Sequence, residues 1–528
     1  QKFIGKDNNI LRLPKKGVTF RLPIICSTPE RIALRTLVKH LGTYETLNIV
    51  KGYHRSSITI KSLYQNFLHD QPTEIQRTND KHYKQALISL HHELDLGYKH
   101  KIVHFCGLRF MEINSASSAE EPYTSRDDFK KYIQTMYQKG AITNQKLTKG
   151  NGMNFILPIE RSRVHNIKDG NMTFKSSYVT RVHARSHLAT DDKSKIRAVF
   201  GQPCTTIFVE MMLLGGLINK LMETKTFIAW GYEIFKGGLQ KLHDEFVGYN
   251  CYISLDYSSF DKRIPHWMID DIHDIWENLC VKDEYYEDDP LYPKPKADPE
   301  RTKRLWTYMR EATKKSIFSM PDGKTFQYKH SGFGSGMYQT QLLGSCCNFI
   351  MCTSALFNLG YFWDRFTYIA LGDDSVIALK LRDEHTGEQI LHSLTEYVYK
   401  HFNALVNKDK SKLYSSSHEI QFLSYKMTCG AVNRINNDLL ARLIYPEVFT
   451  HSVGKTKSRA LGILIANLGH DKKIHEICSD ILEQLKDVEA VDDTIDWFEN
   501  LKRQYIKQSF HEIPSRVQLT IIARTYRN

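Results

Sequence analysis

Residues 366–379 read FTYIALGDDSVIAL, two apolar, β-prone runs on either side of a tight polar turn. This pattern predicts an antiparallel hairpin that carries Asp373 and Asp374 at its tip. Adjacent carboxylates repel each other unless a cation neutralises them, and such hard oxygen ligands suit Mg²⁺ or Mn²⁺. A Gly-Asp-Asp triplet also arises by chance in about one chain in ten of this length, so a plain hairpin turn stays open as an alternative.

A second carboxylate stands more than a hundred residues upstream. In residues 252–256, YISLD, polar and apolar side chains alternate, which predicts a half-buried strand that ends at Asp256. Taken alone, Asp256 could equally be a helix cap or a surface turn residue. If it meets the hairpin tip, the carboxylates could hold two cations about 4 Å apart, which would activate an attacking 3′-oxygen and stabilise a leaving pyrophosphate.

A glycine-rich loop lies between these two elements. Residues 331–341 read SGFGSGMYQTQ, and the apolar residues 342–357 that follow predict a buried helix. Glycines let the backbone approach a ligand closely, and a loop that leads into a helix N-terminus favours anions or ribose hydroxyls. The signal is weak by itself, because a flexible connector has the same composition.

A basic strand is predicted upstream, at residues 193–201, KSKIRAVFG. On a strand, Lys193, Lys195 and Arg197 share one face, where they could hold a triphosphate or a phosphate backbone. Arg181 and Arg185 could extend that surface. A solvated edge strand protected by its charges is an equally good interpretation of this stretch.

The composition is that of an ordinary globular protein. The chain has 528 residues, 41% hydrophobic and 25% charged, and 72 Lys and Arg against 59 Asp and Glu give a net charge of +13. This balance favours polyanionic partners. The ten cysteines form no CxxC pair, which argues against a zinc site or a disulfide framework. We expect no membrane segment, because no apolar run reaches the roughly 18 residues that a span requires.

Taken in order, these motifs resemble those of viral RNA-dependent RNA polymerases. The basic strand, Asp256-x4-Asp261, Ser335-Gly336-x3-Thr340, Gly-Asp-Asp and a downstream lysine are similar to the double-stranded RNA virus branch of partitiviruses and picobirnaviruses, and most of all to picobirnavirus polymerases. The resemblance covers residues 181–430. It implies an α+β right-hand fold with fingers, a palm formed by an antiparallel sheet backed by helices, and a helical thumb.

The resemblance also implies roles for individual residues. Asp256, Asp373 and Asp374 would be catalytic metal ligands for Mg²⁺, with Mn²⁺ able to substitute, and Lys410 would protonate the leaving pyrophosphate. Residues 422–424 resemble the hairpin that grips the growing strand. The implied substrate-binding residues are Lys193, Lys195, Arg197, Arg181, Arg185, Asp261, Ser335, Gly336, Thr340 and Asn348.

One position departs from the pattern of many positive-strand virus polymerases. In those enzymes an Asn that helps to read the ribose lies four residues after the motif Thr, whereas this chain has Gly344 there. Asn348 lies one helical turn further on and could replace it only if the geometry shifts. The sequence thus leaves open which residue completes the contact with the 2′-hydroxyl.

The same resemblance implies a domain organisation and partners. We expect an RNA template and product, ribonucleoside triphosphates, and a viral capsid protein as partners, and a location in the virion interior or the host cytoplasm. The expected regions are an N-terminal arm linking fingers and thumb (1–60), fingers (61–206), palm (207–264), a fingers insertion (265–330), a second part of the palm (331–432) and the thumb (433–528).

Three alternatives can be weighed on the residues. A reverse transcriptase generally has a bulky aromatic residue five positions after the first Asp, where this chain has Asp261, a small acceptor that can accept a 2′-hydroxyl. A non-catalytic RNA-binding or capsid protein would explain the basic charge but not the carboxylates. A phosphate loop ending at residues 454–456, GKT, would require a glycine at position 449, which is Phe449, so this reading is rejected.

Overall fold

The computed structural model describes most of the chain. The described residues are 9–17, 20–23, 28–190, 195–281, 286, 296–428, 430–447, 452–490 and 513–526. Lys193 and most of the acidic, proline-rich segment 281–300 lie outside these ranges. The described part contains both helices and strands, so the α+β class predicted from the sequence is confirmed.

Helices account for most of the regular structure. They are α1 (Arg31–Leu41), α2 (Thr43–Gly52), α3 (Ile60–Leu68), α4 (Lys81–Leu94), α5 (Asp127–Gln138), α6 (Lys149–Lys168), α7 (Cys204–Glu223), α8 (Gly238–Glu245), α9 (Phe260–Arg263), α10 (His266–Asn278), α11 (Pro299–Lys315), α12 (Thr340–Asn358), α13 (Gly387–Phe402), α14 (Asn436–Ile444), α15 (Val453–Ala466), α16 (Lys472–Gln484) and α17 (Arg516–Arg524).

The strands are short and come from distant parts of the chain. They are β1 (Ile10–Leu13), β2 (His54–Arg55), β3 (Thr180–Ser186), β4 (Leu188–Ala189), β5 (Ile196–Gly201), β6 (Cys251–Leu255), β7 (Tyr257–Ser258), β8 (Phe318–Ser319), β9 (Thr325–Tyr328), β10 (Phe366–Leu371), β11 (Asp374–Leu379), β12 (Leu405–Val406), β13 (Lys412–Tyr414), β14 (Gln421–Phe422), β15 (Tyr425–Thr428) and β16 (Ala431–Asn433).

The central sheet has four antiparallel strands in the order β10-β11-β6-β13. It is the predicted hairpin joined by the strand that precedes Asp256. Helix α12 packs against β10, and α13 packs against β6. Residues 376–379 of β11 and nearly all of α12 are buried, because apolar side chains on both faces of this sheet are covered. This is the palm expected from the sequence.

A second sheet carries the basic strand. Its order is β1-β9-β8-β3-β5, and β3 pairs with β5 antiparallel and with β8 parallel. Strand β1 pairs with β9, so residues 10–13 of the N-terminal region are extended. The aromatic rings of Phe67, Phe200, Phe318 and Phe326 form the core of this sheet.

The two ends of the chain share one hydrophobic core. Helix α1 packs against α16 and α2 packs against α14, with Ala33, Leu37 and Ile49 buried among residues of the C-terminal helices. In α16, the apolar residues Ile474, Ile477, Ile481 and Leu482 share a helix face and are buried. A link of this kind is what the N-terminal arm of the prediction requires, although the region boundaries themselves stay predictions.

Two helices of the described chain are long and apolar enough to cross a bilayer by composition. These are α7, whose most apolar window is 78% buried inside the protein, and α12, whose window is 89% buried. Core helices of a large protein meet the same criterion. Their burial makes both weak candidates for membrane segments.

Arg55 joins three parts of the fold. Its guanidinium is buried, and it donates to the carbonyl of Ser186 at the end of β3 (2.9 Å) and to that of Tyr445 just after α14 (3.0 Å). Burial lowers the pKa of this arginine. Both carbonyls would lose their partner if the guanidinium were removed.

We therefore expect Arg55→Met to lower the free energy of unfolding by about 2 kcal/mol, because two buried acceptors lose a charged donor. Arg35→Met, on the exposed side of α1, is the control and should change stability by no more than about 0.5 kcal/mol. Denaturant unfolding followed by circular dichroism measures both. Equal effects of the two variants would contradict this role for Arg55.

Candidate active site

Sheet register brings the predicted carboxylates to one point. In the antiparallel pair of β6 and β11, Leu255 lies opposite Ser375, so Asp256 and Asp374 extend from the same end of the sheet. The hairpin turns through Gly372, whose φ of +66° is a left-handed conformation that favours glycine. In the structure Asp256 thus lies near Asp373 and Asp374, which follow it by more than a hundred residues.

The loop after β12 holds Asp256 from the other side. The backbone N–H of Asp256 donates to Ser411 Oγ (3.1 Å), and the carbonyl of Asp256 accepts from Asn407 N–H (2.8 Å). A cavity of about 390 Å³ opens beside these residues, lined by Asp256, Asp374, Lys410 and the 421–424 hairpin. The carboxylates are therefore fixed by backbone contacts and face open space.

The carboxylates repel one another. Burial and the negative charges of Asp373 and Asp256 raise the pKa of Asp374 to about 6. Burial, and then the charge of Asp256, also raises the pKa of Asp373. Burial and the charge of Asp373 raise the pKa of Asp261 to about 7. A cation bound among these carboxylates would offset their mutual repulsion and lower the raised pKa values.

The donor set fits a hard divalent cation. Carboxylate oxygens suit Mg²⁺ or Mn²⁺, and Mg²⁺ is usually held by one or two carboxylates together with substrate phosphates. Within the described ranges, no three His, Cys, Asp or Glu side chains form a complete cation site by themselves, and the eight described cysteines form no disulfide with one another. Asp256, Asp373 and Asp374 would thus hold metal together with the phosphates of a nucleotide.

Lys410 is where the resemblance placed it. Its Nζ lies 3.5 Å from Asp256 Oδ1, and its side chain is 64% exposed. Lys412 instead donates to the carbonyl of Asp409 (3.0 Å). Among the neighbouring lysines, Lys410 therefore has the position from which a proton could reach a group bound at Asp256.

The basic strand β5 faces the carboxylates. Arg197 lies close enough to Asp261 and Asp373 for its positive charge to lower the pKa of both carboxyl groups, against the larger effect of burial. Burial, and then Arg197 and Lys410, lower the pKa of Lys195. Lys195 and Arg197 are exposed, and neither forms an ion pair within the described chain. They are available to an anionic ligand.

The other predicted basic residues have protein partners. Arg181 donates to Thr124 Oγ1 (2.8 Å) and lies 3.6 Å from a carboxylate oxygen of Glu121. Arg185, directly opposite Arg197 in the sheet, donates to both carboxylate oxygens of Glu447 at 2.6 and 2.9 Å. Their roles in phosphate binding stay predictions that require release from these partners, and Lys193 lies outside the described residues.

The loop before α12 is seated against both sheets. Phe333 N–H donates to the carbonyl of Asp261 (3.0 Å), and a Cβ on Gly336 would lie 2.3 Å from the carbonyl oxygen of Phe200. Gly336 has a φ of +89°. Thr340 Oγ1 donates to the Met337 carbonyl (2.9 Å). Asp261, Ser335, Gly336 and Thr340 thus belong to one connected region, as the motif order predicted.

The side chain of Asn348 is bound to the hairpin turn. Its side chain is fully buried, and its Nδ2 donates to the carbonyls of Gly372 and Asp373 (both 3.0 Å) while its Oδ1 accepts from Tyr368. The prediction that Asn348 contacts substrate is corrected accordingly, because its donors are used to hold the turn that carries the carboxylates.

Gly344 lies on the face of α12 that contacts the hairpin turn, and this contact accounts for a glycine at that position. A Cβ there would lie 3.2 Å from the Cα of Gly372, and the next residue, Ser345, accepts from Gly372 N–H through its Oγ (2.9 Å). Helix and turn approach so closely that a side chain would separate them. Sequence reasoning missed Ser345, whose only signal was its position one residue after the unusual glycine.

Carboxylates from two strands at the end of an antiparallel palm sheet, beside a basic strand, define a right-hand polymerase. The family model for viral RNA-dependent RNA polymerases matches residues 107–486. The chain belongs to this family: it is an enzyme that directs RNA synthesis on an RNA template from nucleoside triphosphates, and the family uses divalent metal ions.

Individual relatives agree with this assignment. The chain is 23% identical over 531 aligned positions to the RNA-directed RNA polymerase of Atkinsonella hypoxylon virus (isolate 2H), covering 91% of this chain and 76% of that protein. It is 26% identical over 310 positions to the RNA-directed RNA polymerase of White clover cryptic virus 1 (isolate Boccardo/2004), covering 56% of this chain and 50% of that protein. Both relatives come from partitivirus-like viruses.

The fold has a solved counterpart in the Sicinivirus 3Dpol RNA-dependent RNA polymerase. The TM-score is 0.65 at 14% identity, with 94% of this chain and 99% of that chain covered. At this identity the likeness concerns the fold, and it confirms the right-hand architecture predicted from the motifs.

Gly344→Ala should lower the rate of RNA synthesis about tenfold, because the new methyl group displaces the turn that carries Asp373. Nucleotide incorporation on a primed RNA template measures the rate, and thermal unfolding checks the fold. Gly52→Ala, at the end of α2 where a Cβ meets nothing within 4 Å, is the control and should leave synthesis unchanged. A wild-type rate for folded Gly344→Ala would show that this contact does not set the turn.

Proposed function

We propose that the chain joins ribonucleotides by two-metal nucleotidyl transfer, with Asp256 and Asp373 as the principal metal ligands and Asp374 as a further one. The observation that supports this most directly is the pairing of β6 with β11, which gathers the three carboxylates beside the basic strand. The bound cations would supply Lewis-acid activation of the attacking 3′-oxygen and charge neutralisation at the leaving oxygen. Mg²⁺ is the expected ion, with Mn²⁺ able to substitute.

The charged residues around the carboxylates would bind the triphosphate. Arg197 of β5 acts on the charges of Asp261 and Asp373, and Lys195, just before β5, lies near Arg197 and Lys410, so both cations would hold phosphate oxygens in line for attack. Lys410, 3.5 Å from Asp256, would donate a proton to the departing pyrophosphate. Positioning and charge neutralisation would supply most of the acceleration.

The sugar would be read by Asp261, Ser335 and Thr340. Asp261 lies between the carboxylate cluster and the loop. Its carbonyl accepts a hydrogen bond from Phe333 N–H, and the charge of Asp373 acts on its side chain. A carboxyl group there can accept a hydrogen bond from a 2′-hydroxyl, the group by which RNA differs from DNA. Because Asn348 is hydrogen-bonded to the turn, these three residues are the ones that would contact the 2′-hydroxyl.

We also propose a picobirnavirus-type origin, in keeping with the motif details and with partitivirus-like relatives. In a virus of this kind the enzyme would contact a capsid protein and work in the virion interior or the host cytoplasm. Sedimentation of the polymerase with assembled particles formed by the homologous capsid protein tests that association. A polymerase that remains in the soluble fraction would contradict it.

Asp373→Asn should reduce RNA synthesis by at least about a thousandfold while RNA retention on a filter stays near that of the wild type, because the amide cannot replace a charged metal ligand. The assay is incorporation of labelled ribonucleotides with Mg²⁺, without it and with a chelator. Asp383→Asn, the same exchange at an exposed position, should be fully active. Synthesis by Asp373→Asn at the wild-type rate would remove Asp373 from the mechanism.

Asp261→Ala should narrow the preference for ribonucleotides over 2′-deoxyribonucleotides about tenfold, because one hydrogen bond to a charged acceptor is lost. Ratios of kcat/KM for matched GTP and dGTP measure this preference. Asp409→Ala, exposed in the loop beside Lys410, is the control. An unchanged ratio in Asp261→Ala would assign the sugar contact to another group.

A further inference from the structure

A carboxylate that forms no ion pair with any residue the structure describes lies behind the loop that precedes α12. Glu210, on α7, is fully buried, and burial raises its pKa to about 7. Its oxygens accept from the backbone N–H of Tyr338 (2.7 Å) and from Nε2 of Gln339 (2.6 Å). A buried carboxylate is unfavourable unless its oxygens are hydrogen-bonded. The Glu210 carboxylate and its two donors on Tyr338 and Gln339 therefore fix one another's positions.

Gln339 extends this contact to two further helices. Its Oε1 is bound by His273 Nε2 of α10 (2.7 Å), and its Nε2 also reaches Thr313 Oγ1 of α11 (2.9 Å). All four side chains are buried. Residues 338 and 339 are thereby fixed to α7, α10 and α11 through side-chain hydrogen bonds.

Upstream of these contacts, the loop is also restrained by the close approach of Gly336 to the Phe200 carbonyl. Its upstream end is held where Phe333 N–H donates to the Asp261 carbonyl. Between that contact and Tyr338 the loop borders a cavity of about 440 Å³, which Gly336, Met337 and Tyr338 help to line. Space on that side would let the loop move if its downstream anchor were lost.

We propose that Glu210 is a positioning residue that fixes the ribose-reading loop, so that Ser335 and Thr340 meet the nucleotide correctly. This rests on the proposed function, in which these two residues read the sugar. Ser335 lies three residues before the anchored Tyr338, and Thr340 follows the anchored Gln339 directly. A shift of the anchor therefore moves both hydroxyls, whereas the metal-binding carboxylates, held by β6, β11 and α12, keep their places.

The test compares Glu210→Gln with Glu160→Gln. Glu160 is a fully buried carboxylate of α6, bound by the hydroxyls of Tyr123 and Thr205 and away from the loop. Both exchanges remove one buried charge at nearly constant volume. Steady-state incorporation on a primed RNA template gives kcat and KM for GTP and dGTP, and thermal unfolding reports stability.

We expect Glu210→Gln to raise KM for GTP about tenfold and to narrow the GTP over dGTP preference, with kcat changed less than about threefold. The two donors bind different oxygens of Glu210, so in the amide one of them would face an NH2 group instead of an acceptor. Glu160→Gln should change neither KM nor the preference beyond about twofold. Glu210→Asp, which keeps the charge but shortens the reach, should shift both in the same direction as Glu210→Gln and serves if the latter does not fold.

Equal kinetic effects of the Glu210 and Glu160 variants would overturn the proposal. So would unfolding of both Glu210 variants while Glu160→Gln folds, since Glu210 would then serve stability alone. A wild-type enzyme that incorporates no nucleotide, or that does not distinguish GTP from dGTP, would instead overturn the proposed function on which this inference rests.

Discussion

Repulsion between carboxylates is the constraint around which the palm is built. Burial and the charge of Asp256 raise the pKa of Asp373, and burial and the charges of Asp373 and Asp256 raise the pKa of Asp374, which is unfavourable in the absence of a cation. Backbone hydrogen bonds in the sheet, in the turn and in the loop after β12 keep the groups in place against this repulsion. The protein is thus preorganised for positive charge, which is the condition for strong electrostatic stabilisation of a phosphoryl-transfer transition state.

Helix α12 is the second part of this preorganisation. Ser345 and Asn348 hold the backbone of the turn, and Gly344 permits the approach. The position that many positive-strand virus polymerases use for a sugar contact lies here against the turn that carries Asp373 and Asp374. In the proposed mechanism, the sugar is therefore read by residues at the N-terminal end of the same helix and by Asp261.

Local sequence patterns predicted the elements well. The strand ending at Asp256, the hairpin at 366–379 and the buried helix after the glycine loop follow from local patterns of apolar residues. Convergence of the carboxylates was predictable from motif order. The partners of Arg181 and Arg185, the role of Asn348 and the contacts of Glu210 were not, because each depends on residues far apart in the chain, on which a local pattern carries no information.

The shared core of α1 and α2 with the C-terminal helices has a consequence for biosynthesis. The first helices leave the ribosome several hundred residues before the segments that cover their apolar faces. Contacts so distant in sequence form late, and exposed apolar surface is a hazard in the meantime. The nascent polypeptide therefore keeps α1 and α2 unassembled until the C-terminal helices have been synthesised, so a chain released before them lacks the surface against which α1 and α2 close.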